Sequence, residues 1–143
     1  IAGVKAAQGD VNRVHDAKDT AEEGLWVLYG NDYDPMEAFF AGADGWLSGL
    51  PGIFPKFCMD LFQVCAVEKN VDAGRALWKQ IKPFIDYFYT YYTRDPHWQE
   101  IFKYVLKCQG LEDAGLPRLP LGDLSAEEKR KIDKILQEIA PIL

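Results

Sequence analysis

Three short apolar runs, separated by two helical patterns and joined by short turns, constrain this chain more than any other feature. Ile1 to Ala6 has strand length and stops at Gln8-Gly9-Asp10. Asp10 reads as the cap of a helix that carries Val11, Val14 and Ala17 and reaches about Glu23. Leu25 to Tyr29 is a second strand without polar alternation, the pattern of a strand covered on both faces. Asp34-Pro35 opens a short helix through Met36, Phe39 and Phe40, closed by Gly42. Asp44-Gly45 leads into the third strand, Trp46-Leu47-Ser48. This β-α-β-α-β order with short connections predicts parallel strands and right-handed crossovers, hence an α/β fold.

From Pro51 the pattern is helical only. Phe54 to Lys69 places Phe57, Leu61, Val64, Cys65 and Val67 inward, and Val71 to Tyr92 places Ala73, Ala76, Leu77, Ile81, Phe84, Ile85 and Phe88 inward. Pro83 sits inside that second helix, where a kink is expected. Asp95-Pro96 opens a third helix closed by Gly110, residues 112–123 form a loop, and Ser125-Ala126-Glu127-Glu128 is a capping box for a last helix to about Ala140. Three parallel strands need both faces covered and their edges protected. They belong either to an open sheet packed on a helical tail or to the last strands of a larger closed barrel, which takes roughly 250 residues. The chain has 143 residues and opens on Ile rather than Met, inside an apolar run. That points to processing, a fragment or missing upstream sequence.

Composition removes several function classes. Hydrophobic residues make up 48% and charged residues 27%, enough apolar content for a packed core and too much for a disordered chain. The net charge of −6 provides no attraction for phosphate backbones and argues against nucleic acid. No apolar run approaches the ~18 residues of a membrane span, and no secretory signal is visible. Cys58, Cys65 and Cys108 are too scattered for a disulfide framework and read as core thiols, in keeping with a cytoplasmic setting. His15 and His97 lie far apart, so neither a zinc site nor a catalytic triad is indicated. Asp32 and Asp34 read as capping and solvated turn residues rather than metal ligands. The aromatic run from Phe84 to Tyr92 reads as packing or a subunit contact.

Lys5 is the most informative single residue. It stands at the end of the strand Ile1-Ala2-Gly3-Val4, and lysine is rarely placed in a buried strand. In an α/β barrel the C-terminal strand ends form the active-site face. Apolar walls there would disfavour the ammonium form, and a neutral amine can attack a ketone to form a Schiff base. On spacing alone, a lysine that snorkels into solvent is the simpler reading. Gly30, at the next strand end, fits an ordinary tight turn or a close approach of backbone to substrate. Leu47 fits barrel core equally well.

Gly3-Val4-Lys5-Ala6-Ala7-Gln8-Gly9-Asp10 resembles the lysine-bearing segment of the dihydrodipicolinate synthase / N-acetylneuraminate lyase family. Val27-Leu28-Tyr29-Gly30-Asn31-Asp32 resembles that family's next strand and loop, and the run Ala41 to Leu50 resembles the one after it. Leu116-Pro117-Arg118-Leu119-Pro120-Leu121 resembles the segment before its last helix, and Asp95-Pro96 through Lys103 is a looser match. The pieces occur in order and cover essentially the whole chain, but only the family's C-terminal half.

The resemblance implies the C-terminal portion of a TIM (β/α)8 barrel followed by a helical extension. Residues 1–50 would be its last three strands; residues 51–143 would be the closing helix and a helical bundle. It makes Lys5 the Schiff-base lysine of a class I aldolase-type lyase that condenses pyruvate, or the ketone end of a 2-keto acid, with an aldehyde, or runs the reverse cleavage. It makes Leu47 a contact of bound pyruvate and Gly30 a substrate-side backbone position. No metal and no cofactor are implied. The proton-relay tyrosine, the carboxylate-binding hydroxyls and the aldehyde-binding arginine would lie upstream, so an N-terminal half is an implied partner, and a homotetramer is the family habit. Ala7, Tyr33 and Gly49 stand where sialic-acid lyases carry polar sugar contacts, which disfavours that sugar and leaves synthases and 2-keto-3-deoxy-sugar-acid aldolases. A silent half-barrel that kept only a binding role is the alternative from another class. Alone, the chain is expected to be inactive and poorly soluble.

Overall fold

The computed structural model describes residues 1–21, 24–90 and 96–143. The chain divides into two compact units, residues 1–78 and 79–143.

The first unit is built on three parallel strands in the order β1 (Gly3–Ala6), β2 (Trp26–Tyr29) and β3 (Gly45–Trp46). Lys5 pairs with Leu28 and Ala6 with Tyr29, while Leu28 pairs with Gly45 and Tyr29 with Trp46. Helices α1 (Asn12–Thr20) and α2 (Pro35–Phe40) are the two crossovers. α1 starts later than its cap because the Asp10 carboxylate accepts the Asn12 N–H at 2.9 Å. The expected extension of α1 to Glu23 falls partly on residues outside those described. α2 begins on Pro35, whose missing N–H costs nothing at a first helical position. Gly42 ends α2 with φ of 101°, which only glycine adopts cheaply, so that the Ala43 N–H can reach back to the Ala38 carbonyl at 2.9 Å.

One face of the sheet is packed and the other is open. Val27, Tyr29 and Ala6 are buried on the helix side with Val14, Ala38 and Phe39. Trp26 is 65% exposed and Leu28 half-buried on the other side. The even burial expected for the second strand is therefore not seen; within the described residues nothing covers the second face. Asp44 ties the unit together: its carboxylate accepts the Val27 N–H at 2.7 Å and the Lys18 ammonium at 2.9 Å. Burial alone would raise its pKa, but these two donors outweigh it and hold the carboxyl below its usual range. Its contribution to stability is present above the unfolded value near 3.8 and is lost as pH falls through the lower folded value.

Helices α3 (Leu50–Ile53) and α4 (Pro55–Phe62) come next, with Phe54 as the break between them. The single helix expected from Phe54 to Lys69 ends in a π-helical turn, Gln63–Val67. That turn inserts one residue and shifts the phase of the helix, so Val67, expected inward, is 59% exposed while Cys65 is buried. Helix α5 (Val71–Thr90) contributes Gly74 to this unit, and Ala76, expected inward, is exposed. A Cβ on Gly74 would lie 2.5 Å from Cys65 Sγ and 3.3 Å from Met36 Sδ. Gly74→Ala is expected to destabilise the fold by about 1–3 kcal/mol through overpacking, despite the better helix propensity of alanine. Thermal unfolding checks this, and Cys65→Ala in the same chain should restore part of the loss.

The second unit packs Ile81, Phe84, Ile85 and Phe88 of α5 with α6 (Trp98–Cys108) and α7 (Ala126–Ile139). Phe88 and Phe102 stack with centroids 5.1 Å apart, and Trp98 meets Phe102 edge-on at 5.5 Å. The aromatic run is thus core as far as Phe88; Tyr91 and Tyr92 lie outside the described residues. Asp95 does too, and α6 is capped instead by His97, which shares a reciprocal capping box with Glu100. The box expected at Ser125 is half formed. Ser125 Oγ accepts the Glu128 N–H at 3.2 Å, but the Glu128 carboxylate accepts the Tyr87 hydroxyl at 2.7 Å and pairs with Lys131. Cys108, expected in the core, is exposed.

Candidate active site

The C-terminal ends of the three strands and their adjoining loops bring Lys5, Gly30 and Leu47 together. Lys5 and Leu28 share a register position and so project to the same, open face of the sheet. Gly30 succeeds Leu28 at the strand period, and its N–H donates to the Ala6 carbonyl at 2.8 Å. A Cβ at Gly30 would lie 2.6 Å from Lys5 Cε and 2.7 Å from Lys5 Cγ. The lysine stem therefore lies across the glycine, in the space a side chain would fill. Leu47 continues β3 by one residue, its N–H donating to the Tyr29 carbonyl at 2.8 Å. By period it shares the face of Gly45, Leu28 and Lys5, and it is 52% exposed.

Lys5 itself is exposed. Within the described residues Leu28, Gly30 and Leu47 share its face and the Asp32 carboxylate lies near enough to interact with it, and the closed apolar pocket expected from the sequence is not formed.

Trp46 points the other way. Its indole N–H donates to the Asn31 carbonyl at 2.9 Å, and its ring meets Phe39 edge-on at 6.2 Å. The bulk of Trp46 is thereby kept out of the Lys5 face. Asn31 shapes the loop after β2 through its Oδ1, which accepts the Tyr33 N–H at 3.0 Å. Gly9, in the loop after β1, approaches the Asn31 side chain closely enough that a Cβ would lie 3.1 Å from Nδ2.

Sequence reasoning missed Asp32. Read as a solvated turn acid, it is 5% exposed. The Leu50 N–H lies 3.3 Å from each of its carboxylate oxygens, and the Ser48 hydroxyl and the Gly49 N–H also donate to it. Burial raises its pKa; those donors and the nearby Lys5 ammonium oppose the rise without cancelling it. For a carboxyl raised in this way, the stabilising contribution is full below the unfolded value near 3.8 and is lost as pH rises through the folded value. Ionised Asp32 is thus a net cost to the fold at neutral pH. The only signal of this in the sequence is the acid three residues before a proline-initiated helix, which does not reveal long-range capping. Tyr29, beneath the same loop, has its phenol pushed up to about 12 by burial. Asp34 heads α2 with no side-chain capping bond. Among the described residues no cluster of histidine, cysteine or acidic side chains could hold a metal ion.

Comparison with known proteins gives these residues a context. The model of the dihydrodipicolinate synthetase family matches residues 1–139. The 4-hydroxy-tetrahydrodipicolinate synthase of Coxiella burnetii is 30% identical over 97% of this chain and 45% of its own length. That of Archaeoglobus fulgidus is 26% identical over 97% of the chain and 46% of its length. Among solved structures, dihydrodipicolinate synthase from Bacillus clausii superposes with a TM-score of 0.77 at 26% identity, covering 96% of this chain and 46% of that one. The sialic acid aldolase of Ruminococcus gnavus superposes with a TM-score of 0.82 at 22% identity, covering 99% and 46%, and shows the shared fold. The chain spans about half the length of the relatives it matches. Its three-stranded sheet is accordingly the C-terminal arc of a TIM barrel, continued by a helical extension.

Proposed function

Because the chain belongs to the dihydrodipicolinate synthetase family, we propose that it is the C-terminal half of a Schiff-base lyase or synthase acting on pyruvate or a related 2-keto acid. The observation that carries this reading is the placement of Lys5 across Gly30, at the strand ends, on the face shared with Leu47. The Lys5 amine attacks the ketone carbon; a C=N bond replaces C=O and water leaves. The iminium withdraws electrons, so the neighbouring methyl gives up a proton and becomes an enamine carbon. That carbon forms a C–C bond with an aldehyde, and water then hydrolyses the iminium to free Lys5. Cleavage of a 2-keto acid runs the same steps backwards. Leu47 supplies an apolar contact for the bound keto acid, and Gly30 lets Lys5 and the substrate approach the backbone.

The open sheet face supports a partner of defined kind, the preceding half of the same barrel, which would close over Lys5 and add the proton relay and the carboxylate- and aldehyde-binding groups. On this reading residues 1–50 complete the barrel wall, residues 51–143 close and extend it, and the assembled barrel is an oligomer, a tetramer by family habit. The 143 residues alone are inactive. No helix among the described residues is long and apolar enough to cross a membrane. The three free thiols support a cytoplasmic setting.

The test is a substrate panel run on the complete polypeptide that carries this chain. Pyruvate consumption with an added aldehyde marks a synthase; pyruvate release from 2-keto-3-deoxy sugar acids marks a lyase. Neither, with Lys5 open to chemical modification in the folded protein, favours the silent binding module.

A further inference from the structure

We propose that Asp32 is a positioning residue that ties the loop after β2 to the loop after β3 and so fixes Leu47 on the face it shares with Lys5. This rests on the Schiff-base reading of the site. Residue 32 and residues 48–50 belong to different strand ends, yet the Ser48 hydroxyl, the Gly49 N–H and the Leu50 N–H all converge on one buried carboxylate. Leu47 is held on one side by the Tyr29 carbonyl, which accepts its N–H at 2.8 Å. On the other side the chain turns at once into the three donors bound by Asp32. Leu47 is therefore clamped between a strand bond and a carboxylate bridge, although its side chain is half exposed.

Stability is a poor explanation for this arrangement. A buried carboxylate is expensive unless its partners cancel the loss of water, and here they fall short. Charge-assisted bonds to a rigid acceptor nevertheless fix geometry better than neutral ones. An amide nitrogen cannot accept a backbone N–H, so Asp32→Asn keeps the shape but loses acceptor capacity. Ser48→Ala removes one donor and leaves the carboxylate in place.

In the complete protein, Asp32→Asn is expected to raise KM for the keto acid about ten-fold, a loss of one charged hydrogen bond, with a smaller change in kcat. Ser48→Ala should show the same split to a lesser degree. The double variant should be no worse than Asp32→Asn alone, because both changes cut one bridge. Amide hydrogen exchange at residues 47–50 should speed up in both single variants relative to the wild-type protein. Unchanged exchange at those amides, additive KM effects, or a fall in melting temperature with KM unchanged would each overturn the proposal. If the wild-type protein forms no reducible adduct with a keto acid, the Schiff-base reading fails, and the exchange data still decide whether Asp32 holds the loop. Should Asp32→Asn not fold, Ser48→Ala carries the same tests.

Discussion

Lys5→Ala and Lys5→Arg in the complete protein are each expected to reduce turnover by on the order of a thousand-fold or more, with melting temperature unchanged. The expectation comes from chemistry and placement together. A covalent route needs an amine that can become the carbon–nitrogen bond, and arginine, always protonated and delocalised, cannot supply one. Within this half the side chain is exposed and stands outside the packed core, so its removal takes nothing from that core. Arginine keeps the charge and roughly the reach, which separates the covalent role from a charge that merely attracts a carboxylate. Equal activity in the Arg variant would show that Lys5 acts by charge. Steady-state kinetics and thermal melts on the same preparations check both halves.

Gly30→Ala is the second large effect, expected near a hundred-fold on kcat/KM with a stability loss of about 1–3 kcal/mol, too small to unfold the protein. Gly30 is not among the glycines with positive φ, so its backbone accommodates alanine. The new methyl cannot, however, share space with the lysine stem, since it would sit 2.6 Å from Cε, and the Ala7 Cα lies behind at 3.0 Å. The Lys5 stem must turn aside from Cγ outward to make room. The fold survives, and the amine is displaced from where it works. A drop in kcat/KM in a protein that still melts in one cooperative transition is the signature. An alanine variant with full activity would mean that the lysine position seen here is not the working one.

These two expectations depend on features of different legibility. The order of the strands, the two crossovers and the strand-end position of Lys5 could be read directly from apolar runs punctuated by glycine, aspartate and proline. The significance of Lys5 came from the segment around it and not from its spacing, which suits a solvated lysine equally well. Its contact with Gly30 required the register, because residues 5 and 30 are brought together by strand pairing. Asp32 was illegible for a related reason: its donors lie at residues 48–50, and no local pattern distinguishes a solvated turn acid from one that caps a distant helix. The orientation of Trp46 was likewise decided at a distance, by the Asn31 carbonyl and Phe39. Val67 was misplaced because a π-helical turn shifts phase without leaving a proline or glycine to announce it. The second strand reads as covered on both faces, and that pattern is sound for a closed barrel. One face is open here because the described residues form only one arc of it.

Trapping decides whether Lys5 forms a Schiff base with a keto acid. The complete protein is incubated with pyruvate, reduced with borohydride, digested, and its peptides weighed. A reduced pyruvate adduct is expected on the peptide containing Lys5, absent without pyruvate and absent in Lys5→Arg. An active protein that yields no adduct, or an adduct on any other lysine, would contradict it.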